Sequence, residues 1–215
     1  MKVHMLDDKG FDMWAGGYDE SVGIADDNDD YPFAGYRRLM NAVYAAVMEK
    51  CPARVLDIGI GTGTLAARLY ERGNDITGID FSGEMLARAR ARMPGARLIQ
   101  FDFAQGLPCD ISAMKFDFII STYALHHLTD DEKIIFIPSL LDCLDDGGAI
   151  IIGDVGFTNR KDLEKCKAAC GDGWDDDEFY FIFSELADRL NDKCNLKYYQ
   201  VSYCAGIMEI TESIL

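Results

Sequence analysis

The sequence predicts an α/β protein built on a doubly wound, mostly parallel sheet. Three observations carry this. Val55 to Ile58 is a short apolar strand that runs into glycines at 59, 61 and 63 and then into the helical spacing of Leu65 and Leu69. A second strand, Asp75 to Ile79, follows at once and ends in Asp80. From there strands and helical stretches alternate as far as Gly153, the rhythm that parallel strands need for their crossovers.

Bulk properties narrow the class. A chain of 215 residues supports one sizeable core, and a single domain over 1–215 is expected. Hydrophobic content of 49% and charged content of 27% are those of a globular protein. No apolar run reaches the length of a membrane span and residues 1–10 lack a signal-peptide core, so a cytoplasmic location without membrane association is expected. The formal charge of -16 repels a phosphate backbone, which argues for a small-molecule substrate and against nucleic acid. Seven cysteines are scattered without a C-x-x-C. Cys166 and Cys170 lie one helical turn apart, but no second ligand pair accompanies them, so reduced thiols and no metal are expected.

In chain order, residues 1–32 are the least regular, with aromatics around Gly16-Gly17 and an acidic cluster at 26–30. Phe33 to Glu49 reads as an amphipathic helix through Leu39, Val43, Ala46 and Val47, ended by Pro52. The first strand is Arg54 to Ile58. The glycines after it take positive φ cheaply and let a ligand lie against the backbone. Asp57, two before the first glycine, would repel a pyrophosphate but suits a positive amino group. After Gly73 comes the second strand, whose terminal Asp80 can accept hydrogen bonds from both hydroxyls of a ribose. Ser82 can cap a helix from Gly83 to Met93, and Arg97 to Phe101 is the third strand, followed by Asp102 and Phe103.

Phe116 to Ser121 is the fourth strand. Ligands in open α/β sheets bind beyond the carboxyl ends of the strands, so Ser121, Tyr123, His126 and His127 fall on the ligand side. Thr129 to Glu132 forms a capping box, and Pro138 predicts a kink or break at Ile137. Residues 145–148 read as a turn, and Ala149 to Gly153 as a fifth strand leading to Asp154 at the same edge. Two helices, Arg160 to Ala169 and Phe179 to Asn191, flank an acidic stretch containing Trp174, which either closes a pocket over an acceptor or anchors a surface loop. Leu196 to Ala205 and Ile207 to Thr211 read as a closing hairpin around Gly206.

Asp57-x-Gly59-x-Gly61-x-Gly63 resembles motif I of the class I S-adenosylmethionine (SAM) dependent methyltransferases, with Thr64 where a dinucleotide fingerprint places its third glycine. The resemblance implies a Rossmann-like seven-stranded sheet with an antiparallel C-terminal hairpin strand. It places the methionine portion of SAM on Asp57, Gly59, Gly61 and Gly63, the ribose on Asp80 beside Phe81, and the adenine on Asp102 and Phe103. Ser121 and Tyr123 match the family's motif IV region, which lines cofactor and substrate. The segment Phe11-Asp12-Met13-Trp14-Ala15-Gly16-Gly17-Tyr18-Asp19 resembles the F-D-x-x-A-x-x-Y-D opening of small-molecule, quinone-biosynthesis-type members. There residues 1–32 form a lid and Tyr18 sits near SAM. Within this small-molecule branch the chain also resembles bacterial YrrT-like members. The resemblance hardly reaches residues 158–193, which are expected to be a helical insertion lining the acceptor pocket.

The implied chemistry is direct displacement of the sulfonium methyl by an acceptor, releasing S-adenosylhomocysteine. No catalytic residue is fixed by this. Tyr18, Tyr123, His126, His127 and Asp154 are the candidates, and the family's A-L-H-H-L run often only packs. Two other readings share the loop: a non-enzymatic SAM-binding regulator or partner subunit, and an NAD-dependent oxidoreductase. Asp57 and Thr64 argue against the second.

Overall fold

The computed structural model describes residues 30–213. Tyr18 and nearly all of the expected lid lie outside the described residues. Helix α1 (Tyr36–Met48) precedes β1 (Arg54–Ile58), α2 (Thr64–Tyr70), β2 (Asp75–Asp80), α3 (Gly83–Arg92) and β3 (Arg97–Gln100). A short α4 (Cys109–Ser112) leads to β4 (Phe116–Thr122), α5 (Asp130–Leu141) and β5 (Leu144–Phe157). The chain continues through α6 (Arg160–Cys170), β6 (Phe181–Ile182), α7 (Phe183–Leu190), β7 (Cys194–Gln200) and β8 (Ala205–Glu212).

The sheet runs β3-β2-β1-β4-β5-β8-β7, with the two-residue β6 attached to β5. β1 to β5 pair in parallel, and β8 joins β5 and β7 antiparallel. This is the expected seven-stranded path plus one short addition. Strand periodicity sets the two faces. Val55 packs into the layer with α1, α2 and α3, while its neighbour Leu56 points to the layer containing α5 and α7. Each fully buried Leu or Ile in these layers contributes about 1.5–3 kcal/mol of burial free energy. The chain order reverses between β1 and β4: β2 and β3 go to one side, β4 and β5 to the other. The crevice above that switch point is where such a sheet leaves room for a ligand.

Four expectations need correction. Phe179 to Asn191 is not one helix. The Phe179 amide donates to the His126 carbonyl at 2.8 Å, Phe181–Ile182 pair with Gly156–Phe157, and only then does α7 begin. The turn at 145–148 lies inside a longer β5 as an irregularity, since Phe116 pairs with Leu144 but Phe118 with Ala149. Helix α5 is continuous across Pro138 rather than broken at Ile137. Gly206 lies within β8 opposite Gln200, and the hairpin turns instead at 201–204. A Cβ on Gly206 would stand 2.2 Å from the Tyr198 hydroxyl, so this glycine makes room for a ring instead of making a turn.

Candidate functional site

A cleft opens above the switch point, lined by the glycine loop, the ends of β2 and β4, and α1. Gly59, Gly61 and Gly63 all have positive φ, but they do different work. A Cβ on Gly59 would strike Ala124 at 2.4 Å, and one on Gly63 would strike Met93 at 2.8 Å and Ala89 at 3.2 Å. Those two let the loop approach the β4 end and let α2 pack on α3. A Cβ on Gly61 meets nothing within 4 Å, because Gly61 faces the open cleft.

Asp57 lines the cleft floor and is 2% exposed. Its Oδ1 has no hydrogen-bond partner among the described residues. Burial, with the Asp80 charge added to it, raises the Asp57 carboxyl well above its ordinary value. An orphaned buried carboxylate is costly unless something positive meets it. A pyrophosphate would aggravate that cost, while an ammonium relieves it.

Asp80 is also buried. Its Oδ2 accepts from the Gly61 amide at 2.8 Å and its Oδ1 from the Ser82 amide at 2.9 Å. Both oxygens thus face backbone amides at the rim of the cleft, which Asp80 itself lines. Phe81 and Phe103 line the same region. Asp102 does not line it: its Oδ1 accepts from the Ala104 amide at 2.9 Å and caps the turn Phe103–Gln105.

Ser121 is likewise outside the cleft lining. Its hydroxyl donates to the Ile58 carbonyl at 2.9 Å and clamps β4 to β1. Side chains alternate along a strand, so its neighbour Thr122 lines the cleft in its place. Tyr123 follows with φ of 50°, a costly conformation for a bulky residue, held by the hydrogen bond from its amide to the Gly153 carbonyl and by the rings of Phe33 and Tyr36.

Beyond Tyr123 lies a second group of polar side chains. The His126 Nδ1–H donates to Asp154 Oδ1 at 2.6 Å, and the His126 amide to Oδ2 at 3.3 Å. The His127 Nδ1–H donates to Glu178 Oε2 at 3.0 Å. Glu178 Oε2 also lies 3.7 Å from His126 Nε2. Burial opposes a charge on His126, but Asp154 and Glu178 outweigh it and raise its pKa. Burial works against ionised Glu178 as well, yet the two histidines hold its pKa below the ordinary value. Lys133, 1% exposed, reaches Asp130 and the Phe179 carbonyl, and burial lowers its pKa.

His127 lines the cleft and His126 does not. Trp174 stacks on Tyr31 with centroids 5.2 Å apart and meets Tyr180 edge-on at 5.0 Å. It therefore anchors the acidic stretch to the body of the protein, the plainer of its two expected roles.

The sequence reading missed Tyr36, Met40 and Thr122 in the lining and Glu178 behind it. Tyr36 and Met40 share one helical face, a pattern that reads as core. Glu178 sits in an acidic run with nothing in the sequence to distinguish it.

Comparison with known proteins places the chain. The methyltransferase-domain family pattern matches residues 55–148. An uncharacterized methyltransferase of Geobacillus kaustophilus is 35% identical, with 82% of this chain and 83% of the relative covered. One of Geobacillus thermodenitrificans is 37% identical over 70% of this chain and 67% of its own length. The chain belongs to the class I SAM-dependent methyltransferase family.

Solved structures agree on the fold of this methyltransferase. Magnesium protoporphyrin IX methyltransferase from Synechocystis PCC 6803 with bound SAM superposes with a TM-score of 0.67 at 20% identity, covering 99% of this chain and 100% of that one. The DhpI-SAM-HEP complex gives 0.66 at 20% identity, covering 98% and 99%. A ribosomal protein L11 methylase from Lactobacillus delbrueckii subsp. bulgaricus also matches, with a TM-score of 0.56 at 17% identity over 83% of this chain and 79% of that one. At this identity the fold is shared by enzymes with unlike acceptors.

Proposed function

We propose that this methyltransferase moves the methyl group of SAM to a small-molecule acceptor. The observation that carries the reading is the buried Asp57 carboxylate, with one oxygen unpartnered among the described residues, in the cleft that the open Gly61 backbone also lines. When bound, SAM supplies an electrophilic methyl group on a sulfonium.

The residues of the chain bind and align it. Asp57 would meet the amino group of the methionine portion, with Gly59 and Gly61 letting that portion lie against the loop. Asp80 would accept from the ribose hydroxyls, and Phe81 and Phe103 would wall the adenine. Ser121, Gly63 and Asp102 act behind these residues, as strand clamp, helix packing point and turn cap. Thr122, Tyr123, Ala124 and His127 then border the acceptor side. Alignment and exclusion of water are most of what such a displacement asks of a protein.

The small-molecule reading rests on the charge of -16, which disfavours nucleic acid. Residues 1–32, with Tyr18, are proposed as a lid, since Tyr36 and Met40 line the cleft just downstream. Residues 158–193 are proposed as the acceptor wall, supported by the contact of Glu178 with His127.

Calorimetric titration with S-adenosylhomocysteine tests the cofactor site. Saturable binding to one site per chain is expected, and none in a folded protein would overturn the reading. A chain lacking residues 1–20 should release the product faster; an unchanged dissociation rate would remove the lid. An acceptor screen that follows S-adenosylhomocysteine release then separates small molecules from basic proteins.

A further inference from the structure

We propose that His126, His127 and Glu178 form a binding site for a divalent metal ion of the zinc class, with one coordination position beside the methyl-transfer cleft that no described residue takes.

The donor set is the first argument. Each of the three residues offers one ligand atom, and these lie within 4.8 Å of one another. Imidazole and carboxylate donors suit zinc and its borderline neighbours, not magnesium or calcium. Zinc–nitrogen and zinc–oxygen bonds of about 2.0–2.2 Å imply ligand–ligand edges of roughly 3.4 Å in a tetrahedron. Glu178 Oε2 stands 3.0 Å from His127 Nδ1 and 3.7 Å from His126 Nε2, on either side of that edge.

The surroundings are the second argument. A metal-binding histidine usually donates its other ring N–H to a carboxylate, which fixes the tautomer and turns the free nitrogen to the metal. Asp154 does this for His126: it is 2% exposed, takes Nδ1–H at 2.6 Å, and leaves Nε2 toward Glu178. Asp154 is itself held, through Oδ1, by the Val155 amide at 2.7 Å. Lys133 lies nearby and offsets part of the charge of Asp130, Asp154 and Glu178. On binding, the metal takes the place of the proton between His127 and Glu178.

Position is the third. Among the described residues three ligands are offered, which leaves a fourth place as in catalytic zinc sites, and His127 lines the cleft beside Thr122 and Tyr123. The site rests on the methyltransferase reading only for what its open position would face.

The test is calorimetric titration of the full chain with Zn2+ under reducing conditions, with S-adenosylhomocysteine titrated separately. One Zn2+ per chain is expected. Glu178→Gln and His127→Asn should each weaken it by at least about tenfold, and Asp154→Asn by about 10- to 100-fold. A Cys166→Ser/Cys170→Ser variant should bind as before. With Co2+ in place of zinc, a small thiol such as 2-mercaptoethanol should shift the visible spectrum if a position is open. No Zn2+ binding in a chain that still binds S-adenosylhomocysteine would overturn the site. Equal zinc affinity in Glu178→Gln and His127→Asn, or loss in the cysteine variant, would do the same. An unshifted cobalt spectrum would overturn the open position. A chain that binds zinc but not S-adenosylhomocysteine overturns the cofactor reading and leaves the metal site standing.

Discussion

The two halves of the cleft are built differently. On the proposed cofactor side the contacts of Asp80 are short in sequence, since it holds the amides of Gly61 and Ser82, 19 and 2 residues away. On the acceptor side the contacts are long: His126 meets Asp154 across 28 residues, His127 meets Glu178 across 51, and Tyr31 meets Tyr180 across 149. The first half is a backbone device made by one strand-loop-helix unit and its neighbouring strand. The second is assembled from loops that the sheet brings to one edge. Loops tolerate change better than the elements that carry them. A family can therefore keep one cofactor site and alter its acceptor.

The contrast can be broken at several points. The largest effect is expected from Gly63→Ala. Its left-handed φ costs about 1–2 kcal/mol with a side chain, and the clash with Met93 and Ala89 adds about 1–3 kcal/mol. Gly61→Ala incurs only the first cost, and its methyl enters the cleft. Thermal unfolding should rank Gly63→Ala as the less stable, while S-adenosylhomocysteine titration should show the sharper loss of affinity per lost stability in Gly61→Ala. The opposite ranking would mean that the glycines are not divided between packing and ligand.

Asp80→Ala should weaken S-adenosylhomocysteine binding by more than about tenfold, as charged hydrogen bonds are worth about 1.5–3 kcal/mol. Unchanged affinity in a folded variant would remove the ribose assignment.

Asp57→Asn sharpens the comparison through pH. Burial and then the Asp80 charge raise the Asp57 carboxyl, so the folded chain holds that proton more tightly than the unfolded chain. The stability this contributes is present below the unfolded carboxylate range and is lost as pH rises through the folded pKa. Above the unfolded carboxylate range the ligand-free protein bears the cost of burying this carboxyl, first as a proton held and then as a charge. Asp57→Asn should therefore raise the Tm there, lose that advantage below about pH 4, and bind S-adenosylhomocysteine about tenfold more weakly. A lower Tm at neutral pH would contradict the orphaned carboxylate.

Smaller effects follow where the structure departs from expectation. Ser121→Ala should cost about 1 kcal/mol of stability, the worth of its bond to Ile58, with affinity for S-adenosylhomocysteine unchanged. Glu178→Gln should shift that affinity by no more than about twofold, since Glu178 itself does not line the cleft and its replacement keeps an acceptor for His127. A large loss in either variant, measured by calorimetry, would join the two halves into one unit.

The sequence by itself determined the mostly parallel sheet and brought the glycine loop, Asp57 and Asp80 to one cleft. A strand, a run of glycines and an acid at the next strand tip are local signals, and a parallel crossover has one favoured hand. It also put Tyr123 and His127 at the correct edge. Tertiary structure decided the rest. Ser121 and Thr122 differ by one residue, but the pleat turns only Thr122 into the cleft. Gly63 looks like its neighbours until α3 lies against it. Phe179 to Ile182 read as helix, yet the pairing of Phe181 and Ile182 with β5 and the hydrogen bond from the Phe179 amide to the His126 carbonyl hold them extended. Glu178 could not be told from the carboxylates around it until that pairing placed it between two histidines. Local propensity carries no information on which distant chain segment will meet it, and the acceptor side of this cleft is made of such meetings.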